Sequence, residues 1–303
     1  MKLTKSCINY TGGKYRLLKQ LLPLFPCEIN NFVDLFCGGC NVALNVDAKQ
    51  QILCNDLEKE LINLFQFLKN TEINDLIENI DVLIDEYGLS NTFKRGYDFY
   101  NCNSSQGLSK YNKDAYFQLR DDFNNNNFNK KSKYLYFYTL ILFSFNNQIR
   151  FNKKGFFNVP VGKRDFNKNS RNNLTNFLEK IKNKNINFTS TDFRKVKLDK
   201  LDDDDFIYLD PPYLITLASY NEQNGWMEND EKDLLNLLDY LNSKNIKFAL
   251  SNVLKSKGKT NNILLDWCKQ YNANYLNYSY SNSNYQLKNK NKNKAIEVLI
   301  TNY

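Results

Sequence analysis

Two short apolar runs, each closed by a distinctive turn, constrain the fold of this chain more than any other feature. Residues 32–37 (FVDLFC) run into Gly38-Gly39, and residues 206–209 (FIYL) run into Asp210-Pro211-Pro212-Tyr213. Runs of four to six apolar residues bounded by turn formers read as strands buried on both faces, and such strands belong to parallel sheets covered by helices. Residues 51–54 (QILC), 246–250 (IKFAL) and 295–301 (AIEVLIT) repeat the pattern. Helical spacing intervenes at 57–69, where Leu61, Leu64, Phe65 and Leu68 share a face, and at 230–242, which opens on acidic residues. Strand–helix alternation at both ends of the chain predicts one mostly parallel α/β sheet. Residues 70–187 are rich in Asn, Lys and aromatics at mostly helical spacing, which predicts a helical insertion into that sheet. The Asn run 124–127 reads as compositional bias marking a loop.

Composition narrows the chemistry. The 303 residues contain no His, which removes His-based general bases, Ser-His-Asp triads and His-ligated zinc. Seven Cys, an odd number, read as free thiols in a reducing compartment. No apolar run approaches the roughly 18 residues of a membrane span, and the start MKLTKSCINYTGGK lacks the apolar core of a signal peptide. These features lead to the expectation of a soluble, intracellular protein with no membrane and no metal. A formal charge of +8 suits a polyanionic partner without proving one.

The two turns carry the candidate chemistry. Ligands of open α/β sheets bind beyond the carboxyl ends of the strands, where both turns fall. In Asp210-Pro211-Pro212-Tyr213 the prolines end the strand and stiffen the turn. The Asp210 carboxylate and the Pro211 carbonyl could accept both hydrogens of a conjugated amine and concentrate electron density on its nitrogen. Tyr213 offers a face for an extruded base. An ordinary strand-ending turn is the alternative. The glycines after Phe36 let a ligand approach the backbone, and Asp56, 17 residues past Gly39, stands where nucleotide-binding folds place an acid on ribose hydroxyls. Cys37 and Cys40 fit C-x-x-C, but no second Cys pair completes a zinc site. Cys27, which precedes the glycine turn, reads as structural.

A basic segment at 146–171 holds seven cations and one acid, with Phe151, Phe156, Phe157 and Phe166 between them. Lys and Arg on phosphates supply affinity, while Arg can read guanine; a solvated basic hairpin is the alternative. A second basic run, Lys288 to Lys294, could touch phosphates as well.

Taken together, YTGGK (10–14), 32–46, Asn55-Asp56, 145–164, 210–216, 229–254 and the closing run resemble the Dam-type DNA adenine-N6 methyltransferases (D12 class, alpha group), the T-even phage members above all. The resemblance implies a Rossmann-like S-adenosylmethionine-binding domain at 1–60 and 188–303. Into it would be inserted a mainly helical target-recognition domain at 61–187, with a basic hairpin at 145–166. It implies Tyr10, Lys14, Asp34, Phe36, Gly38, Gly39, Asp56, Phe193 and Asp210 as cofactor contacts, and Asp210, Pro211, Pro212 and Tyr213 as the catalytic turn. For double-stranded DNA it implies Gln148, Arg150, Asn152, Pro160, Lys163 and Arg164, with the two arginines on the guanines of GATC. Cytoplasmic action, in a bacterium or phage-infected host, follows from the same likeness, and the oligomeric state, monomer or weak dimer, stays open.

The chain departs from that pattern at Gln148, where relatives carry an apolar residue, and at Asn9, where bacterial members place a base-contacting Lys. Extra residues lie near 98–112 and 124–131. Two other readings stand beside this one. One is an N-methyltransferase for RNA or protein, against which Asp210 and the basic insertion count. The other is a catalytically silent DNA-binding regulator, against which the intact turns count.

Overall fold

A computed structural model describes residues 3–125, 128–216, 225–277 and 295–303. The basic run 288–294 therefore lies outside the described residues. The chain divides into two compact units, one of residues 14–57 and 185–303, the other of residues 1–13 and 58–184. Residues 1–13, expected with the sheet, thus cluster with the inserted segment.

The first unit is built on one sheet of β1 (Asn31–Asp34), β2 (Gln51–Asn55), β3 (Ile186–Thr189), β4 (Phe206–Leu209), β5 (Lys247–Ser256), β6 (Lys259–Thr260), β7 (Asn272–Leu276) and β8 (Ile296–Thr301). The order is β3-β2-β1-β4-β5-β8-β7, with β6 on β5. Strands β1 to β5 are parallel, and β8 runs antiparallel between β5 and β7. From β1 the chain steps outward through β2 and β3; from β4 it steps outward the other way. The switch point lies between β1 and β4, whose carboxyl ends carry the two turns singled out in the sequence. Leu234, Leu235, Leu238 and Leu241 of the helix Glu228–Ser243 pack on Ile207, Leu209, Phe248 and Leu250.

The expected mixed α/β architecture is present, with differences in detail. Strand β1 stops at Asp34: Leu35 still donates to Tyr208, but Cys37 already donates across to Asn55. Strand β5 runs on to Ser256 because β8 pairs along it, with a bulge between Val253 and Lys255. Strands β3 and β7, at the two ends of the sheet path, gave no apolar run, since β3 alternates and β7 is mostly uncovered.

The second unit is helical, with Lys59–Lys69, Ile73–Tyr87, Ser109–Asn125, Lys130–Phe143 and Lys168–Asn183 as its long helices. Tyr134, Phe137, Tyr138 and the run Leu140–Phe143 are buried, which makes Lys130–Phe143 the core helix. The Asn bias carries more structure than expected. Asn91, Asn129 and Asn167 cap helices with their side chains. Asn124, read from sequence as part of a featureless run, bonds both the amide and the carbonyl of Phe157.

Candidate functional site

In the sheet unit, four charged or phenolic groups converge at the ends of β4 and β8. Lys14 opens a short 3₁₀ turn (Lys14–Leu17) and is buried, with Nζ 2.8 Å from Asp210 Oδ1 and 3.8 Å from Glu297 Oε1. The Tyr213 hydroxyl donates to the same Asp210 Oδ1 at 2.8 Å, and Lys14 Nζ lies 5.1 Å from the Tyr213 ring centre. Burial, reinforced by Asp210 and Glu297, pushes the Tyr213 phenol well above its ordinary range, so it stays a neutral donor. Pro211 is buried and Pro212 half-buried, which fixes the turn between them. Glu297 is 3% exposed and was missed by sequence reasoning. Its signal was there: a single acid inside the apolar closing run AIEVLIT.

The glycine turn at the end of β1 forms a second cluster. Gly38, at φ +45°, donates its amide to Asp56 Oδ2 at 2.8 Å, which draws the acid onto the turn. Phe36 packs on Phe193, and both pack on Trp226, with ring centres 5.5–5.9 Å apart. Trp226 is a further residue missed from sequence; its indole donates to Glu231, which Asn261 also holds. Arg194 reaches Asp230 and Asp233 on the helix Glu228–Ser243, fastening the turn that carries Phe193. Asp34 is 1% exposed and closes no full hydrogen bond; burial, then Cys54 and Asp210, hold its carboxyl well above the usual range, against weak help from the Ala43 amide. The buried thiols of Cys37, Cys40 and Cys54 lie within 4.8 Å of one another, so the C-x-x-C pair does gain a third sulfur, from β2. Burial raises the thiols of Cys37 and Cys40 well above their ordinary range. Cys27, read as structural, is exposed.

Tyr10 belongs to the helical unit, in a turn where Gly13 donates to its carbonyl. That unit also holds the basic segment. Residues 144–161 form an irregular hairpin with only two bridges, Ser144–Val161 and Phe151–Phe157. Phe157 and Phe166 are buried, and Phe151 and Phe157 pack on Phe137, so these rings anchor the hairpin, whereas Phe156 is exposed. Asn152 closes the tip, its Oδ1 accepting from the amides of Lys154 and Phe156. Arg150 gives Nε and Nη2 to Asn158, which leaves Nη1 as its remaining nitrogen. Arg164 uses Nη1 on Ser104 and Tyr97, and its Nε–Nη2 edge has no partner among the described residues. Lys163 and Pro160 are exposed, and the Pro160 carbonyl accepts from Phe145. Gln148 is half-buried, and its carbonyl accepts from Ser144. A Cβ at Gly162 would stand 2.3 Å from the Ser144 carbonyl, so only glycine lets the hairpin ends close. Asn9 donates to Asn146 at the hairpin base.

The chain is similar to known proteins over most of its length. The sequence profile of the family described as D12 class N6 adenine-specific DNA methyltransferase matches residues 10–296. Modification methylase StsI of Streptococcus sanguinis is 43% identical over all of this chain, and type II methyltransferase M.FokI of Planomicrobium okeanokoites 40% identical over 99% of it. The chain spans only 43% of the length of each. A DNA adenine methylase of Salmonella typhi is 27% identical, with 83% of this chain and 82% of that protein covered. The match to the profile covers nearly the whole chain, and on that ground the chain belongs to the D12 class of N6 adenine-specific DNA methyltransferases.

Proposed function

We propose that this chain transfers a methyl group from S-adenosylmethionine to the N6 amine of adenine in double-stranded DNA. The observation that carries the proposal is the state of Asp210. Lys14 and Tyr213 both bind Oδ1, while Oδ2 has no partner among the described residues. A carboxylate held on one oxygen and open on the other can accept an amine N–H without turning. The Pro211 carbonyl, next in the same turn, accepts the second hydrogen, and the lone pair is freed from conjugation. Such preorganised acceptors contribute only as charge develops on nitrogen, which is what lowers a barrier. Tyr213 supplies the stacking face for an adenine extruded from the helix.

The glycine turn fits the cofactor. Asp56, drawn onto Gly38, would take the ribose hydroxyls, Phe36 and Phe193, with Trp226, would hold the purine, and Gly38 and Gly39 would leave room at the turn. Lys14 would complete the set within the sheet unit, whereas the Asp34 carboxylate, with both oxygens fully buried, would not reach a ligand. When bound, S-adenosylmethionine supplies an electrophilic methyl group.

The helical unit would recognise DNA through Gln148, Arg150, Asn152, Pro160, Lys163 and Arg164. Arg164 retains the two-nitrogen edge that meets guanine O6 and N7, which supports a short guanine-containing site such as GATC. Sequencing of DNA incubated with the purified chain and S-adenosylmethionine tests the reading. Modified adenines in a fixed context are expected; unmodified adenines would overturn it.

A further inference from the structure

Residues 92–111, which include most of the extra stretch near 98–112, are fastened to the strand of chain that carries Arg164, and the fastening is specific. Asp165, 1% exposed, accepts from the amide and hydroxyl of Thr92 at 2.6 and 2.7 Å and from the Ser90 hydroxyl. Arg164 Nη1 donates to the Ser104 carbonyl at 2.9 Å and the Tyr97 hydroxyl at 3.2 Å. Leu108 donates to the Lys163 carbonyl, and a Cβ on Gly107 would stand 2.6 Å from Lys163 Cβ, so the two backbones touch. The loop between is ordered by its own bonds: Asn103 Oδ1 accepts from the amides of Ser105 and Gln106, and the Asn103 amide donates to Gln106 Oε1.

Its outer surface is unusual for a part with so many internal ties. Phe99 and Tyr111 are 56% and 50% exposed, and the Arg95 guanidinium lies 4.6 Å from the Phe99 ring centre. Tyr100 packs between Phe99 and Tyr111 and accepts from the Asn91 amide. Residues 92–111 hold three cations, Lys94, Arg95 and Lys110, against one acid, Asp98, and Lys94 pairs with Asp85 outside the segment. Exposed rings beside guanidinium and ammonium groups are the chemistry that meets sugars, base edges and phosphates of a duplex together.

We propose that residues 92–111 form a second DNA-contacting element, which grips the duplex on one side of the base that Arg164 reads. The proposal rests on the DNA reading of Arg164 given above. Two consequences follow. Arg164 is held in place by Tyr97 and Ser104, which act as positioning residues, and the recognised footprint is longer on the Arg164 side than the hairpin alone would give.

The test uses the full chain and a duplex of about 30 base pairs with the sequenced methylation motif at its centre. Affinity, its salt slope and hydroxyl-radical protection are measured for the wild type, for Arg95→Ala/Phe99→Ala, and for Lys153→Ala/Lys154→Ala. The loop variant changes exposed side chains, and circular dichroism with cofactor affinity verifies its fold. It should bind about tenfold more weakly, with a salt slope reduced by about one, and lose protection of a few nucleotides on one side of the motif only. The hairpin variant should weaken binding without that one-sided loss. Wild-type affinity and protection in the loop variant, beside weakened binding in the hairpin variant, would overturn the loop while leaving the DNA reading intact. No binding by the wild type would overturn both.

Discussion

The strand-end site and the basic hairpin are built to different standards. At the strand ends a lysine 7% exposed is clamped between two carboxylates, and the turn beside it is stiffened by two prolines. The hairpin holds its shape with two isolated bridges, one required glycine and a set of amide contacts from Asn124, Asn152 and Asn158. Disturbing the first strands a charge in a low-dielectric setting; disturbing the Asn152 contacts at the hairpin tip exchanges exposed hydrogen bonds for water. The candidate strand-end site is therefore fixed by the sheet unit, while the exposed tip of the hairpin can change without unfolding its unit.

The largest effect should come from Asp210. Asp210→Asn keeps shape and the Tyr213 contact but turns the acceptor into a mixed donor and acceptor. Turnover should fall at least about 100-fold with DNA affinity nearly unchanged. Near-normal single-turnover rates would show that the two regions do not divide the work as described. Next is Lys14→Met, which leaves Asp210 and Glu297 facing each other without their cation. A loss of about 3–5 kcal/mol in unfolding free energy is expected. Denaturant titration checks it, and a loss below about 1 kcal/mol would mean that the cluster is better hydrated than its burial indicates.

On the other side of the comparison, Arg164→Ala should reduce discrimination at one guanine by about tenfold or more. Arg150→Ala should alter base preference less, because Asn158 already occupies two of its three nitrogens. Competition binding with single-base variants of the site measures both, and equal losses would reject the argument from free donors. The smallest effect concerns Asp34. Its folded carboxyl titrates above the usual value of about 3.9, so the native state binds more protons than the unfolded chain above that pH. Stability is then greatest at low pH on this account and declines as pH rises toward the folded value. Asp34→Asn should flatten that decline, and unfolding curves between pH 4 and 8 would reveal it; an unchanged slope would exclude Asp34 as its source.

Much of the sheet was legible because a strand buried on both faces writes itself as a run of apolar residues, as FIYL does in full. The terminal strands β3 and β7 were not, because one uncovered face removes that signature. The two strand-end turns were legible as motifs, because Gly-Gly and Pro-Pro punctuate the ends of apolar runs. Glu297 and Trp226 were not, being single residues whose partners are set by the strand order and by a helix 16 residues long. The interleaved aromatics of the hairpin divide, Phe157 and Phe166 buried and Phe156 exposed, because spacing cannot tell a ring turned into a helical core from one turned to solvent. The third sulfur beside Cys37 and Cys40 comes from the neighbouring strand, a proximity no local pattern contains.

The most direct test is the nucleoside composition of DNA after incubation with this chain and methyl-labelled S-adenosylmethionine. The label should be found in N6-methyladenine alone, and should vanish with Asp210→Asn. Label in a methylated cytosine, or label that persists in the variant, would contradict the assignment of the strand-end turn to adenine N6 methylation.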